Sequence, residues 1–218
     1  MRRFSNRVFT FGVFWLLGCG ALRAGVIYST FDNPPGTAFT RVDFYVAQGA
    51  SVPGGYSGLA SPFTSGGEFD VTQIDAVLGG AANPVYTKTV DVGIYTDAGG
   101  LPGALIGSMY QATPPQNFIN ADVVAISGIT GVPLHSGQTY WLVILPDSTS
   151  TNVNWVYGAG SGVQARTTDG STWFHPTASV NSTYFDVVGT EVPEPGTFTL
   201  LGLGSTVVAL LRRRAAIR

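Results

Sequence analysis

Short apolar and β-branched runs, separated by glycine and proline turns, constrain this chain more than any other feature of its sequence. The runs span residues 26–31, 42–46, 69–78, 89–95, 121–126, 139–145 and 184–188. Between them, turn signals stand at residues 53–55, 65–67, 97–100, 102–103 and 169–170, where glycine permits positive φ and proline fixes φ. No amphipathic helix of useful length interrupts the pattern, which therefore predicts an all-β chain.

The hydrophobic pattern within the runs predicts how the strands are buried. In residues 90–94 every second side chain is apolar, as expected for a strand with one face in a core. Residues 140–145 are apolar on both faces, which predicts a central strand whose outer side is covered by a loop or a partner. The regular strand spacing predicts a two-sheet, jelly-roll-like β-sandwich formed by one domain, residues 25–191.

The N-terminus has the organisation of an export signal. Arginines precede an apolar run at residues 8–17 and a small-residue stretch at residues 21–25, which predicts cleavage by signal peptidase after Ala24. Residues 1–24 would then be a signal peptide. A retained N-terminal anchor and a lipobox with an acylated Cys19 are the alternatives.

The C-terminus combines a rigid hinge, an apolar segment and a basic end. The hinge at residues 192–196 is extended because proline lacks an N–H donor and restrains the preceding residue. Residues 197–211 carry no charge and would rise about 22 Å as a transmembrane helix. The basic tail, residues 212–218, predicts a cytoplasmic end and an external body. The hinge residues are Val192, Pro193, Glu194 and Pro195, and the membrane stop is Arg212, Arg213 and Arg214.

This three-part tail resembles the PEP-CTERM sorting signal of exported proteins from bacteria that make exopolysaccharide. The resemblance implies that Pro193, Glu194 and Pro195 form the recognition motif of exosortase, a membrane-embedded transpeptidase. The apolar segment would hold that motif at the membrane surface. A plain tail anchor with an incidental proline hinge is the alternative.

Two further segments of the body, residues 94–103 and 134–142, resemble the choice-of-anchor domains of exported proteins. The resemblance implies a secreted β-sandwich that occurs with different surface-attachment signals. It supplies no catalytic residues to transfer to this chain.

Charge and cysteine content exclude several functions. Residues 25–191 contain three basic and twelve acidic residues, a net charge near −9, which repels phosphate backbones and argues against nucleic-acid binding. The one cysteine, Cys19, lies in the leader. A mature chain that starts at Gly25 therefore has no disulfide and no thiol nucleophile.

Catalytic and metal-binding patterns are weak. His135 and His175 lack zinc-ligand spacing, and Gly-x-Ser-x-Gly does not occur. A glycoside hydrolase would need paired carboxylates, for which the candidates are Asp70 with Asp75 and Asp147 with Asp169. We therefore expect no cofactor; calcium is the alternative for such an acidic secreted domain, and its candidate ligands are Asp97, Asp147 and Asp169.

Aromatic residues concentrated in the last third of the body are the best indication of binding. Trp155 and Trp173 could form a face on which sugars stack, although core packing is the commoner role of such residues. We therefore expect a non-enzymatic cell-surface or matrix protein with a structural or adhesive role in exopolysaccharide. The alternatives are a lectin-like carbohydrate-binding module and a glycoside hydrolase. Expected partners are signal peptidase, exosortase, the membrane and exopolysaccharide.

Overall fold

The computed structural model describes residues 24–31, 39–40, 44–80, 83, 85–114, 120–162, 164–176 and 180–192. The predicted signal peptide up to residue 23, the transmembrane helix at residues 197–211 and the basic tail lie outside these residues. So do Pro193, Glu194 and Pro195. The structure therefore concerns the predicted secreted domain.

Alternating and β-branched sequence produces strands throughout the described chain. The strands are β1 (Ala24–Ser29), β2 (Phe39–Thr40), β3 (Phe44–Gln48), β4 (Gly58–Thr64), β5 (Phe69–Gly80), β6 (Val90–Asp97), β7 (Pro102–Ala112), β8 (Asn120–Ser127), β9 (Pro133–Leu134), β10 (Thr139–Pro146), β11 (Asn152–Gly162), β12 (Ala165–Thr167), β13 (Trp173–Phe174), β14 (Val180–Thr183) and β15 (Phe185–Glu191).

These strands form two antiparallel sheets packed as a sandwich, which confirms the predicted all-β fold class. The nine-stranded sheet follows the order β1-β15-β5-β11-β14, with β8 and β9 also paired to β5, β3 paired to β11 and β2 paired to β8. The six-stranded sheet has the order β13-β12-β4-β10-β6-β7.

The main core lies between the two sheets and follows the period-2 alternation of the strands. In β6, Val90, Val92 and Ile94 are at most 1% exposed and point into this core, as the sequence predicted. Phe185 of β15 enters it from the nine-stranded sheet and meets Phe63 of β4 edge to face at 6.0 Å between ring centroids. Burial of these side chains supplies the main stabilisation of the sandwich.

A second apolar cluster covers the outer face of the six-stranded sheet, and we call it the outer layer. Its buried centre is Ala60, Trp141, Val143 and Ala165, and the half-buried Tyr95, Leu101, Leu145 and Trp173 pack around that centre. Strand β10 is therefore central in its sheet and apolar on both faces, as predicted. Side chains of the same sheet and of the β6–β7 turn provide the cover.

That turn corrects one detail of the sequence analysis. Residues 102–103 were expected to be a turn, but Pro102 pairs with Asp97 as the first residue of β7. The reversal is complete by Leu101, because Gly99 and Gly100 adopt φ of 69° and 87° and Ala98 N–H donates to the Leu101 carbonyl at 2.8 Å. Residues 97–100 therefore form the turn without help from the following proline.

The first and last strands of the domain meet at one end of the sandwich. Ala24 of β1 lies opposite Thr190 of β15, and Glu191 lies opposite Phe69 at the start of β5. The Val192 N–H then donates to the Glu68 carbonyl at 2.9 Å. We call this region the tail-proximal end, because the hinge at Pro193 follows directly.

Candidate functional site

Trp155 belongs to the main core, which is the commoner of the two roles considered for it, and not to a sugar-binding face. Its side chain is 1% exposed and meets Phe185 edge to face at 5.9 Å. The indole N–H donates to the Tyr184 carbonyl at 3.2 Å. A buried ring with its polar group satisfied inside the protein has no face on which a sugar could stack.

Trp173 lies on the other sheet, so the structure does not bring the two tryptophans together. It is half-buried in the short strand β13, at the rim of the outer layer. Its neighbour Phe174 is 44% exposed. Of the two predicted residues, Trp173 is the one that a ligand can reach.

The turn between β12 and β13 holds Trp173 in place. The Asp169 carboxylate accepts the backbone N–H groups of Thr172 at 2.7 Å and Ser171 at 2.8 Å, and the Thr167 hydroxyl at 2.9 Å. These bonds hold the pKa of Asp169 well below its ordinary value, and the bond from the Thr172 backbone has the largest effect. The carboxylate is therefore a structural part of the turn.

A pocket of about 520 Å³ opens at the tail-proximal end. Its volume is within the range of small-molecule sites. The lining side chains are mainly polar and come from the end of β6, the turn before β10 and the start of β10. They are Thr96, Asp97, His135, Gln138, Thr139 and Tyr140, with Gly137 between them. We call this cavity the end pocket.

The groups that line the end pocket are held by hydrogen bonds. Asp97 accepts the indole N–H of Trp141 at 2.7 Å and the backbone N–H of Gly100 at 3.1 Å. His135 Nδ1 lies 2.7 Å from Glu68 Oε2, and its backbone N–H donates to the Tyr140 hydroxyl. The bond to His135 is the main cause that lowers the pKa of Glu68.

The two histidines have separate structural roles. His135 bridges the β4–β5 and β9–β10 connections through Glu68. His175 donates its Nδ1–H to the Gln164 carbonyl at 3.0 Å, and its ring centroid lies 6.4 Å from that of Trp141. Both histidines are therefore engaged in contacts that hold loops, and neither lies in a group of metal-ligating side chains among the described residues.

The three aspartates considered for calcium occupy three different turns. Asp97 and Asp169 are engaged as described above, and Asp147 accepts the Thr151 hydroxyl at 2.6 Å. Within the described ranges, no three His, Cys, Asp or Glu side chains are grouped so that they could hold a metal ion. The three candidate calcium ligands are therefore not brought together by the described fold.

The carboxylates that the fold does bring together are Asp75 and Asp186, a pair that sequence reasoning missed. They lie directly opposite each other on β5 and β15. Burial raises the pKa of both, and the nearby charge of Asp75 adds to the effect on Asp186. Asp70, expected as a partner of Asp75, is exposed and lies opposite Thr190.

Val192 is the first residue of the predicted hinge and is described by the structure. Its side chain is 40% exposed, and its backbone is tied to Glu68. The described residues include no helix with the length and hydrophobicity needed to span a membrane. The predicted spanning segment lies beyond them, at residues 197–211.

Comparison with known proteins identifies the C-terminus. The family model of the PEP-CTERM protein-sorting motif matches residues 191–215, which begin at the last residue of β15 and include the hinge, the apolar segment and the arginines. No curated protein matches the chain. The chain therefore carries a PEP-CTERM sorting motif and is an exported protein with a membrane-anchoring tail that an exosortase processes.

Proposed function

We propose that the mature sandwich is a non-enzymatic adhesive protein that binds extracellular polysaccharide once the exosortase system has placed it outside the cell. The observation that carries this proposal is the outer layer, an apolar sheet face with Trp173 at its accessible rim. Aromatic rings with one accessible face offer flat apolar surface to sugar rings. An exported protein of an exopolysaccharide producer meets such polymer as soon as it leaves the cell.

The charge of the domain favours a polymer of low negative charge. Ten carboxylates are described, against two basic side chains, Lys88 and Arg166. Burial is the largest cause that raises the pKa of Tyr56 and of Tyr95. Nearby carboxylates add to it: Asp169 and Asp91 raise the pKa of Tyr56, and Asp91 raises that of Tyr95. Carboxylates therefore border the aromatic surface, and anionic chains would be repelled there.

Affinity electrophoresis in gels that contain the host exopolysaccharide tests this role. We expect the polymer to retard the mature protein and the Trp173→Ala variant to migrate as in a gel without polymer. Phe174→Ala is the matched control, because Phe174 is the adjacent aromatic residue of β13 but lies outside the outer layer. Equal retardation of wild type and Trp173→Ala would refute the role of this rim.

We further propose that the precursor keeps its body outside and its arginines inside, with residues 197–211 in the inner membrane, until exosortase cuts near Pro195. Intact-mass analysis of protein from the host tests this order. The wild type is expected to start at Gly25 and end near Pro195, whereas a Pro193→Ala, Pro195→Ala variant keeps Arg212, Arg213 and Arg214. If both proteins keep the arginines, the hinge is not a processing site.

A further inference from the structure

The end pocket contains hydrogen-bonding capacity that the fold leaves unused. The Asp97 carboxylate is held at both oxygens by Trp141 and Gly100, yet a carboxylate has about four acceptor sites. The Gln138 side chain is exposed and, in the described structure, makes no hydrogen bond of its own. Its amide can both donate and accept. These are the groups that recognise neighbouring hydroxyls of a polyol.

Rigid support makes the carboxylate suited to binding. The Trp141 indole that orients Asp97 is 1% exposed, and the His175 ring packs near it on the outer layer. Asp97 therefore does not have to be ordered when a ligand arrives, which lowers the entropy cost of binding. Glu68 similarly fixes His135 at the pocket wall.

Charge defines the class of sugar. Asp97 lines the pocket, and the Glu68 carboxylate stands behind His135. Asp70 and Glu191 lie at the same end, on β5 and β15. Neither Lys88 nor Arg166, the described basic residues, contributes to the lining. A uronic acid would bring a further negative charge to this end, whereas a neutral hexose brings hydroxyls alone.

Position separates the end pocket from the Trp173 rim. Along β10 the pocket residue Thr139 and the outer-layer residue Leu145 stand six positions apart, roughly 20 Å in an extended strand. Leu145 and Thr167 both lie beside Gly58, and Thr167 pairs with Trp173 across β12 and β13. Trp173 therefore lies at the Leu145 end of the sheet. No residue belongs to both the pocket lining and the outer layer, although Trp141 of the outer layer bonds Asp97 of the pocket.

We propose that the end pocket binds one neutral hexopyranose unit, with Asp97 and Gln138 taking its hydroxyls. This inference rests on the proposed function, because it assigns a sugar class to the polymer that the domain binds. The pocket also lies beside the exit of the sorting tail, since Val192 is bonded to Glu68 and Glu68 to His135.

Isothermal titration of the mature host protein with methyl α-glycosides of glucose, mannose and galactose tests the pocket, with methyl glucuronide as the charged counterpart. We expect at least one neutral glycoside to bind, and to bind about tenfold or more tightly than the glucuronide. Asp97→Asn, which can still accept the Trp141 N–H, and Gln138→Ala are each expected to weaken binding about tenfold. Gln111→Ala, an exposed glutamine of β7, is the matched control.

Distinct results identify which proposal fails. Binding of the glucuronide as tight as that of the neutral glycosides overturns the assigned sugar class. Absence of binding by any neutral glycoside, with retardation by polymer still dependent on Trp173, overturns the end pocket and leaves the proposed function standing. If no neutral glycoside binds and the polymer does not retard the protein, both the end pocket and the proposed function are refuted. Unchanged glycoside affinity in Asp97→Asn and Gln138→Ala would place the sugar elsewhere.

Discussion

Trp155 and Trp141 are both 1% exposed, but they are buried in different ways. Trp155 is enclosed between two sheets in the main core, where its neighbours come from β strands on both sides. Trp141 is enclosed on the outer face of one sheet by half-buried side chains and a turn. The comparison teaches that equal burial does not mean equal function: the first site supports the fold, and the second supports a surface.

The largest expected effect is on the main core. Trp155→Ala removes a fully buried ring and leaves a cavity, so we expect the free energy of unfolding to fall by about 3–5 kcal/mol. Urea denaturation followed by circular dichroism measures this loss. Trp155→Phe should recover most of it, and a loss below about 1 kcal/mol for the alanine variant would mean that the core tolerates the cavity.

A smaller loss is expected at the centre of the outer layer. Trp141→Phe keeps most of the apolar volume but removes the N–H that bonds Asp97, and we expect a cost of about 1–2 kcal/mol. Amide exchange at Gly100 should become faster, because the turn loses a contact that holds Asp97. An unchanged exchange rate would show that the turn is fixed without the indole.

The rim of the outer layer should affect binding more than stability. Trp173→Ala removes a half-buried side chain, which we expect to cost about 1 kcal/mol of unfolding free energy while polysaccharide retention is lost. Thermal unfolding and affinity electrophoresis on the same sample separate the two effects. A loss as large as that of Trp155→Ala would place Trp173 in the same class as a core residue.

The smallest effect is expected from a change in pH. It should act on the turn that holds Trp173 at the rim, because that turn contains the Asp169 carboxylate. The pKa of Asp169 is lowered in the folded chain, so its contribution is present above the ordinary aspartate pKa and disappears as pH falls toward the lower folded value. Urea denaturation from about pH 6 to pH 2 should show the free energy of unfolding of the wild type falling more steeply below about pH 4, the ordinary aspartate range, than that of Asp169→Asn. Identical pH dependence of the two proteins would exclude this carboxylate as a source of stability.

Much of the fold was predictable from the sequence because its signals are local. The β-branched runs became β5, β6, β8 and β10 almost residue for residue, and the two-faced apolar run became a central strand. Strand β4 was missed because Gly58–Thr64 contains small residues and Pro62, which argue against a strand inside a sheet. Pairing with β10 and β12 overrides that local preference.

The candidate site was less predictable because it depends on register. Trp155 and Trp173 are similar in sequence context, and only the pairing of their strands decides which ring faces the core. Asp97 meets a tryptophan 44 residues away, and Asp75 meets Asp186 across two strands. No short-range spacing carries that information. By contrast, the sorting motif was predictable because it is one continuous segment, residues 191–215.

The bond between Val192 and Glu68 has a mechanical consequence. Strand β15 leads directly to the sorting tail and is paired along its length with β1 on one side and β5 on the other. Tension applied to the tail along the strand therefore loads both hydrogen-bond ladders in parallel, as shear, and does not peel them open one rung at a time. The domain is therefore expected to remain folded under a pull on its C-terminal tail that would open a ladder loaded one rung at a time.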